Sequence, residues 1–272
     1  MSLQSHDTGG YRSMSRIRNV FSNGKAFIPF ITAGDPSLSI TEELILKMEE
    51  AGADLIELGI PFSDPVAEGI AIQQADERAL LGGTTTDKIF DMVSRVRNKS
   101  NVPLAFMTYI NPIYTYGPER FLRNCYVTGI DAIIVPDLPY EEKSLLKPYC
   151  DTYGVDLISL IAPTSHDRIK RIARDADGFV YCVSSMGVTG VRNEISTNIH
   201  EMIALVKEAK DIPCAIGFGI STIEQAKTMA KHGDGIIVGS AIVKMAEKYG
   251  INCIEPITDY VRNMKTAIME LN

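Results

Sequence analysis

The sequence predicts a single (β/α)₈ barrel, and two observations carry that prediction. Eight short apolar bursts, rich in β-branched residues, recur along the 272-residue chain without an intervening linker. Amphipathic stretches with helical character separate them. A short continuous apolar run is typical of a strand buried on both faces of a parallel sheet. Strand and helix alternating eight times favours a closed barrel, with a doubly wound open sheet as the alternative because periodicity alone does not show closure.

The predicted strands follow one another with a shared local pattern. Five of them have a turn or a small residue, usually an Asp, and then the apolar burst; they lie in 51–59, 128–137, 153–163, 175–185 and 232–240. The other three lie in 26–36, 102–112 and 212–221. A glycine after a helix suits the left-handed residue that often ends one, so these segments also predict helix ends.

Two of the intervening helices have candidate N-terminal capping residues in the sequence, and the last helix has a clear apolar face. Ser39 with Glu42, and Ser221 with Glu224, have the spacing of a capping box, which predicts helix starts at both places. The last helix is predicted from apolar residues at 3.6-residue spacing, namely Ile257, Tyr260, Val261, Met264 and Ile268.

The N-terminal end of the chain differs from the rest. Residues 1–13 are polar and rich in Gly and Ser, and we interpret them as a tail or an expression remnant. Residues 14–24 are predicted to form an extra helix that closes the bottom of the barrel. The barrel domain is therefore expected to span 14–272.

Composition excludes several classes of function. The net charge of −7 argues against non-specific binding to nucleic acid or to an anionic membrane. The five cysteines form no CxxC pair and the four histidines have no ligand spacing, so neither a disulfide framework nor a metal site is predicted. Because no apolar run approaches the ~18 residues of a membrane span and no signal peptide is recognisable, a cytoplasmic protein is expected.

Two glycine-containing loops predict a phosphate site. Residues 217–221 and 239–243 lead from the seventh and eighth predicted strands into helices, at the positions where barrels often bind phosphate. Glycines let backbone N–H groups approach an anion, and helix N-termini favour negative charge. The connection 184–193 contains further glycines that could add donors or close as a lid. The alternatives are simple tight turns and a flexible surface loop.

Glu57 is the strongest single candidate for a catalytic residue. It lies within an apolar strand, where an unpaired carboxylate costs several kcal/mol unless it is neutralised or satisfied. Either it is a structural carboxyl bonded to a neighbour such as Tyr181, or burial raises its pKa and prepares it for proton transfer near neutral pH. Asp64 and Glu68 follow on a loop, where an acid by itself is most often only solvated.

Six segments together resemble one family. Residues 57–69, ELGIPFSDPVAEG, resemble the signature of the tryptophan synthase alpha chain family. The family's other blocks are matched, in order and at similar spacing, by 27–36, 135–142, 181–190, 217–221 and 239–244. The resemblance covers roughly residues 14–270. It implies a (β/α)₈ barrel that splits indole-3-glycerol phosphate into indole and glyceraldehyde 3-phosphate, a retro-aldol lyase reaction of tryptophan biosynthesis.

The resemblance also implies roles for individual positions. It matches catalytic positions to Glu57, Glu68 and Tyr181, phosphate-binding positions to Gly190, Gly219, Gly239 and Ser240, and positions near the indole to Phe30, Ile134, Thr189 and Phe218. It implies no cofactor in this chain. Pyridoxal phosphate is expected in a separate beta chain, in a complex of two alpha and two beta chains, and Asp64 is expected to contact that partner.

Two positions depart from the family pattern. The family most often has Asp where this chain has Glu68, and Pro where it has Ile70. Glu adds one methylene, about one 1.5 Å bond, and a ~1 Å misplacement can cost on the order of 10² in rate. Three alternatives stay open: a catalytically weak alpha-like subunit that mainly activates a beta chain, another sugar-phosphate barrel such as an isomerase or epimerase, and a stand-alone lyase that releases free indole.

Overall fold

Eight parallel strands close into a barrel in the computed structural model, which describes residues 16–183, 192–217 and 219–271, without the side chains of 18 and 192–198. The strands are β1 (Ala26–Thr32), β2 (Ile56–Gly59), β3 (Leu104–Met107), β4 (Ala132–Ile134), β5 (Asp156–Ile161), β6 (Val180–Val183), β7 (Cys214–Gly217) and β8 (Gly235–Val238). Pairing of Ala26 on β1 with Gly235 on β8 completes the ring. The predicted barrel is confirmed, and the open-sheet alternative is wrong.

Helices surround the barrel. They are α1 (Leu38–Glu50), α2 (Ile70–Leu81), α3 (Thr86–Arg97), α4 (Ile110–Tyr116), α5 (Pro118–Thr128), α6 (Lys147–Tyr153), α7 (His166–Arg174), α8 (Arg192–Ala209), α9 (Ile223–Ala230), α10 (Ser240–Tyr249) and α11 (Ile254–Met269). Short 3₁₀ helices occur at Arg16–Asn19, Tyr140–Leu145 and Gly250–Asn252. Of the helices in the described ranges, none combines the length and apolar character that crossing a membrane requires.

The helix caps differ from the predicted ones by one or two residues. Ser37, not Ser39, caps α1, since its hydroxyl accepts from the Ile40 amide at 3.3 Å. At α9 the capping box is Thr222 with Gln225. A cap must have extended backbone geometry directly before the first helical residue, and overlapping polar pairs in the sequence hide which one does. The predicted stripe of α11 is buried, apart from Tyr260, which is half-buried.

The bottom of the barrel is closed by a shorter element than predicted. Residues Arg16–Asn19 form one 3₁₀ turn, and the side chains of Ile17 and Val20 are buried in the barrel interior. Arg16 Nε lies 2.6 Å from Asp131 Oδ1, which ties this turn to the start of β4. One turn suffices because two apolar side chains fill the opening. The predicted tail, 1–13, lies outside the described residues.

The strands divide their side chains between two apolar regions. On β2, Ile56 and Leu58 point outward and pack under the helices, whereas Leu55, directly before the strand, points into the barrel. Alternation along a strand then turns Glu57 inward as well, above Leu55. The cysteines at 125, 150, 182, 214 and 253 are free and buried. The fold thus places one carboxyl at the upper end of an otherwise apolar interior.

Candidate active site

The upper layer of the barrel interior is an apolar wall around one acid. The same alternation that turns Glu57 inward also turns inward the side chains at the upper ends of other strands, namely Phe30, Met107, Ile134, Leu160 and Tyr181. Sequence reasoning did not single out Met107 and Leu160. The signal was present, since they lie two residues beyond the inward-facing Ala105 and Ile158. The layer has the shape and chemistry to hold a flat apolar ring beside a carboxyl group.

Two glycines make room for aromatic rings at this level. A Cβ added to Gly59 on β2 would lie 2.6 Å from Phe30 Cζ, and one added to Gly217 on β7 would lie 2.4 Å from the Tyr181 hydroxyl. Both distances are too short for any real side chain. The two aromatic residues therefore occupy their positions because the next strand has no side chain there.

We expect Gly217→Ala to displace Tyr181 and to destabilise the protein by about 1–3 kcal/mol, the usual cost of overpacking a core. Chemical denaturation measures the loss in the free energy of unfolding. Gly69→Ala is the matched control, because a Cβ there meets nothing within 4 Å, and its cost should stay below ~1 kcal/mol. Equal losses in the two variants would contradict the close approach of Tyr181.

Glu57 is fully buried and has no hydrogen-bond partner for either carboxyl oxygen among the described residues. Burial, and secondly the charge of Glu68, raise its pKa well above the ordinary value. The structural alternative, a hydrogen bond from Tyr181, is therefore not found. The Tyr181 pKa is itself raised, by burial and then by the charges of Glu57 and Glu68. The fold brings these three groups, Glu57, Glu68 and Tyr181, close enough to influence one another.

Glu68 lies on the loop between β2 and α2 and is half-buried. Desolvation raises its pKa to about 7. Two contacts hold the backbone around it: the Ala67 amide donates to the Tyr109 hydroxyl at 2.9 Å, and Gln73 Nε2 donates to the Glu68 carbonyl at 2.8 Å. Glu68 therefore sits at a defined place beside Glu57 and titrates near neutral pH.

A third carboxyl, Asp76 on α2, was missed by sequence reasoning. It is 4% exposed, and burial raises its pKa to about 7, with the charge of Glu68 adding to the rise. The signal that could have found it is helical periodicity, because Asp76 falls on the buried face of α2 with Ile72, Ala75 and Ala79. Three acids thus approach the barrel mouth, and each has a raised pKa.

The glycine-containing loops predicted to bind phosphate follow β7 and β8 and lead into α9 and α10. Gly239 precedes α10 and, as a glycine, provides no side-chain cap for that helix, and Ser240 is exposed at its first position. A Cβ on Gly239 would lie 3.3 Å from Phe30 Cδ1, so this helix start borders the apolar wall. Gly219 is exposed with a φ of +70°, which favours glycine. Gly190, Thr189 and Phe218 lie outside the described residues.

Asp64 does not join the interior carboxyls. It is exposed and accepts a hydrogen bond from Ser63 Oγ at 2.6 Å. The side chain of Val66 on the same loop is 82% exposed, and that of Ile70, the first residue of α2, is 73% exposed. The loop and the start of α2 therefore present two exposed apolar side chains and an exposed acid.

Two further observations concern the rest of the molecule. A cavity of about 250 Å³, bordered by Tyr140, Ser159 and Arg168, lies between β5, the second 3₁₀ helix and α7, and none of the three acids lines it. In the described part of the chain, no group of three His, Cys, Asp or Glu side chains is arranged to hold a metal ion.

Comparison with known proteins links this geometry to one family. The family model described as "Tryptophan synthase alpha chain" matches residues 18–269. The tryptophan synthase alpha chain of Lacticaseibacillus casei is 44% identical over 255 residues, which are 94% of this chain and 96% of that protein. The one from Citrifermentans bemidjiense is 46% identical over 264 residues, covering 94% and 99%.

Solved structures agree with the sequence matches. The crystal structure of tryptophan synthase subunit alpha from Legionella pneumophila superposes with a TM-score of 0.86 at 34% identity, covering 95% of this chain and 100% of that one. A structure of the tryptophan synthase α₂β₂ complex from Pyrococcus furiosus contains a chain with a TM-score of 0.82 at 36% identity, with 90% and 99% covered.

Proposed function

Because this chain belongs to the tryptophan synthase alpha chain family, we propose that Glu57, Glu68 and Tyr181 form the centre of its active site. The family's reaction, and that of this chain, is the lyase half-reaction of tryptophan biosynthesis, which cleaves indole-3-glycerol phosphate to indole and glyceraldehyde 3-phosphate. One observation carries the assignment of residues. Glu57 is fully buried, has no hydrogen-bond partner among the described residues, and lies beside a second carboxyl in an otherwise apolar layer.

The reaction needs two different carboxyl groups. Cleavage requires a proton at ring C3, which places positive charge on the ring nitrogen. The side-chain hydroxyl then loses its proton, the carbon–carbon bond breaks, its electron pair returns to the ring, and the aldehyde forms. One proton is gained at C3 and one is lost from the hydroxyl. One carboxyl group can make both proton transfers if it first donates a proton to C3 and then accepts the hydroxyl proton. A second group, ionised as a carboxylate, can accept the ring N–H and stabilise the positive charge on the ring.

The environments of the two acids support one assignment. Burial raises the pKa of Glu57 well above its ordinary value, which favours the protonated carboxyl that donation to C3 requires. Its carboxylate then accepts the hydroxyl proton. Glu68, whose pKa is raised to about 7, is ionised in a large fraction of molecules and accepts the ring N–H. Each positioned acid or base is worth ~10²–10⁴ in rate.

The rest of the site holds the two ends of the substrate. We assign the ring to the apolar wall that includes Phe30 and Ile134, together with Thr189 and Phe218. We assign the phosphate to Gly219, Gly239, Ser240 and Gly190, where the uncapped start of α10 supports anion binding. Fixing both ends leaves the bond to be broken beside the acids, which is the main contribution of positioning.

The partner is a beta chain, as the family name and the α₂β₂ complex of the Pyrococcus furiosus relative indicate. We propose that two alpha and two beta chains assemble here too, with pyridoxal phosphate in the beta chain. The proposed contact is the exposed segment that includes Asp64 and Val66 on the loop and Ile70 at the start of α2. It leads directly to Glu68, so partner binding there would act on the position of a catalytic group.

The test of the assembly is co-purification with a tagged beta chain and the rate of indole release with and without it. We expect Val66→Glu to weaken binding and activation by at least about tenfold, because it buries a charge in the contact. Val127→Glu is the matched control: Val127 is 72% exposed but lies on α5. Equal effects of both variants would contradict the proposed contact. No cleavage by the parent chain, alone or in the complex, would favour a purely regulatory subunit.

A further inference from the structure

Asp76 is a buried acid that has no role in the proposed proton transfers or in binding the ring N–H. Its carboxyl spans two elements: Oδ1 lies 3.5 Å from Thr32 Oγ1 at the end of β1, and Oδ2 lies 3.4 Å from the Phe62 amide at the start of the loop that carries Glu68. Both hydrogen bonds are long, and the side chain is 4% exposed. A buried carboxyl so weakly satisfied is costly to ionise, so its presence calls for an explanation.

We propose that Asp76 is a positioning residue for the cleavage reaction: it anchors the loop that presents Glu68 and shares one negative charge with it. This inference rests on the proposed role of Glu68 as acceptor of the ring N–H. Asp76 does not reach the substrate in this assignment. It acts through the loop, at Phe62, and through the charge of Glu68.

The charges around Asp76 make Glu68 its main electrostatic neighbour. The surroundings of Asp76 together raise its pKa to about 7. Burial makes the largest contribution, the charge of Glu68 and then that of Asp35 also raise the pKa, and the hydrogen bond from the Phe62 amide lowers it. Arg78, on the same helix, does not offset this. Its guanidinium makes two hydrogen bonds to Asp35, at 2.9 and 2.8 Å, and reaches Glu247 of α10 at 3.3 Å. Tyr109, whose own pKa is raised to about 12, brings no charge near neutral pH.

Glu68 and Asp76 therefore titrate as a pair. Both have a pKa raised to about 7, and repulsion between two ionised groups is mutual. After the first proton has left, the pair carries one negative charge and shares the remaining proton, which leaves at a higher pH. Because the reaction needs Glu68 ionised, Asp76 delays full activity to higher pH. Substrate binding favours the form in which Glu68 is charged and Asp76 is neutral.

The experiment is the pH profile of kcat/KM for the intact enzyme with its beta chain. We expect Asp76→Asn, which keeps the shape and removes the charge, to move the acid limb of the profile down by about 0.5–1 pH unit, the size of one nearby like charge. Ionisation of the substrate phosphate is common to both enzymes and does not contribute to the difference. A purely structural role would lower stability and leave the limb in place.

The control is Asp54→Asn at the opposite end of the barrel. Asp54 is also a partly buried carboxyl with a raised pKa, and it accepts from the Phe27 amide at 2.7 Å and Lys265 Nζ at 2.8 Å. It should leave the acid limb unmoved. Thermal unfolding checks that Asp76→Asn is folded, and Asp76→Ser replaces it if it is not.

A second readout separates this inference from the role of Glu68. In protein labelled with ¹³C at the Glu carboxyls, the titration of Glu68 should shift to lower pH in Asp76→Asn, whatever Glu68 does in catalysis. An unchanged Glu68 titration, or an equal shift of the acid limb in Asp54→Asn, would overturn the proposal. A shifted titration with an unmoved acid limb would instead overturn the role assigned to Glu68.

Discussion

Glu57→Gln is expected to abolish indole release, by at least ~10²–10⁴-fold in kcat, while substrate binding persists. The Gln side chain has nearly the same shape but neither donates a proton to ring C3 nor accepts one from the hydroxyl. Single-turnover assays of indole release, with a separate binding measurement using an unreactive substrate analogue, check both halves. Glu43→Gln on the exposed face of α1 is the control. Turnover at the parent rate in Glu57→Gln would show that Glu57 is not the proton-transfer group.

Relative to the parent protein, Glu57→Gln is expected to become more stable as pH rises. The folded-state pKa of Glu57 is raised above the ordinary value of 4.5, so the folded protein holds this proton where the unfolded chain has lost it. The parent therefore loses about 1.4 kcal/mol per pH unit from this group above pH ~4.5, until its folded-state pKa is reached. Gln carries no such penalty. Denaturant unfolding at pH 5, 6, 7 and 8 should show a growing advantage for Glu57→Gln over the parent, and a constant difference would contradict the raised pKa.

Glu68→Gln is expected to lower kcat/KM by about 10²-fold, because the ring N–H then meets a neutral acceptor while positive charge develops on the ring. Glu68→Asp keeps the charge and shortens the side chain by one bond of about 1.5 Å. The loop around Glu68 is held by Tyr109 and Gln73, so it cannot fully follow, and we expect a loss of about tenfold. Rates at several pH values, compared at each pH with the parent, measure both effects.

The pH profile separates charge from length. The acid limb of the parent should lie near the Glu68 pKa of about 7, should remain in Glu68→Asp, and should lose this component in Glu68→Gln. Glu77→Gln, an exposed position on α2, should leave rate and profile unchanged. A Gln variant within about threefold of the parent would remove Glu68 from the mechanism. An Asp variant faster than the parent would mean that this loop is set for the shorter acid.

Local patterns predicted most of the fold. All eight strands lie within the predicted segments, because a short apolar burst between turn residues is a local signal of a buried strand. The helix caps at α1 and α9 were misplaced, since Ser37 competes with Ser39 and Thr222 competes with Ser221 at the same spacing. Residues 14–24 were predicted as a helix, whereas the described part, 16–24, contains one 3₁₀ turn, because filling the barrel bottom with Ile17 and Val20 needs no more.

The sequence by itself determined the barrel, the place of Glu57 in a buried strand, the glycine loops after the last two strands and the family. Only the tertiary structure decided that Glu57 points inward with no hydrogen-bond partner in the described ranges, that Gly217 makes room for Tyr181, and that Asp76 lies beside the Glu68 loop. The physical reason is the range of the forces involved. Strand and helix propensity act over a few residues, whereas desolvation, close packing and charge repulsion join groups far apart in the chain, such as Asp76 and Thr32, 44 residues away.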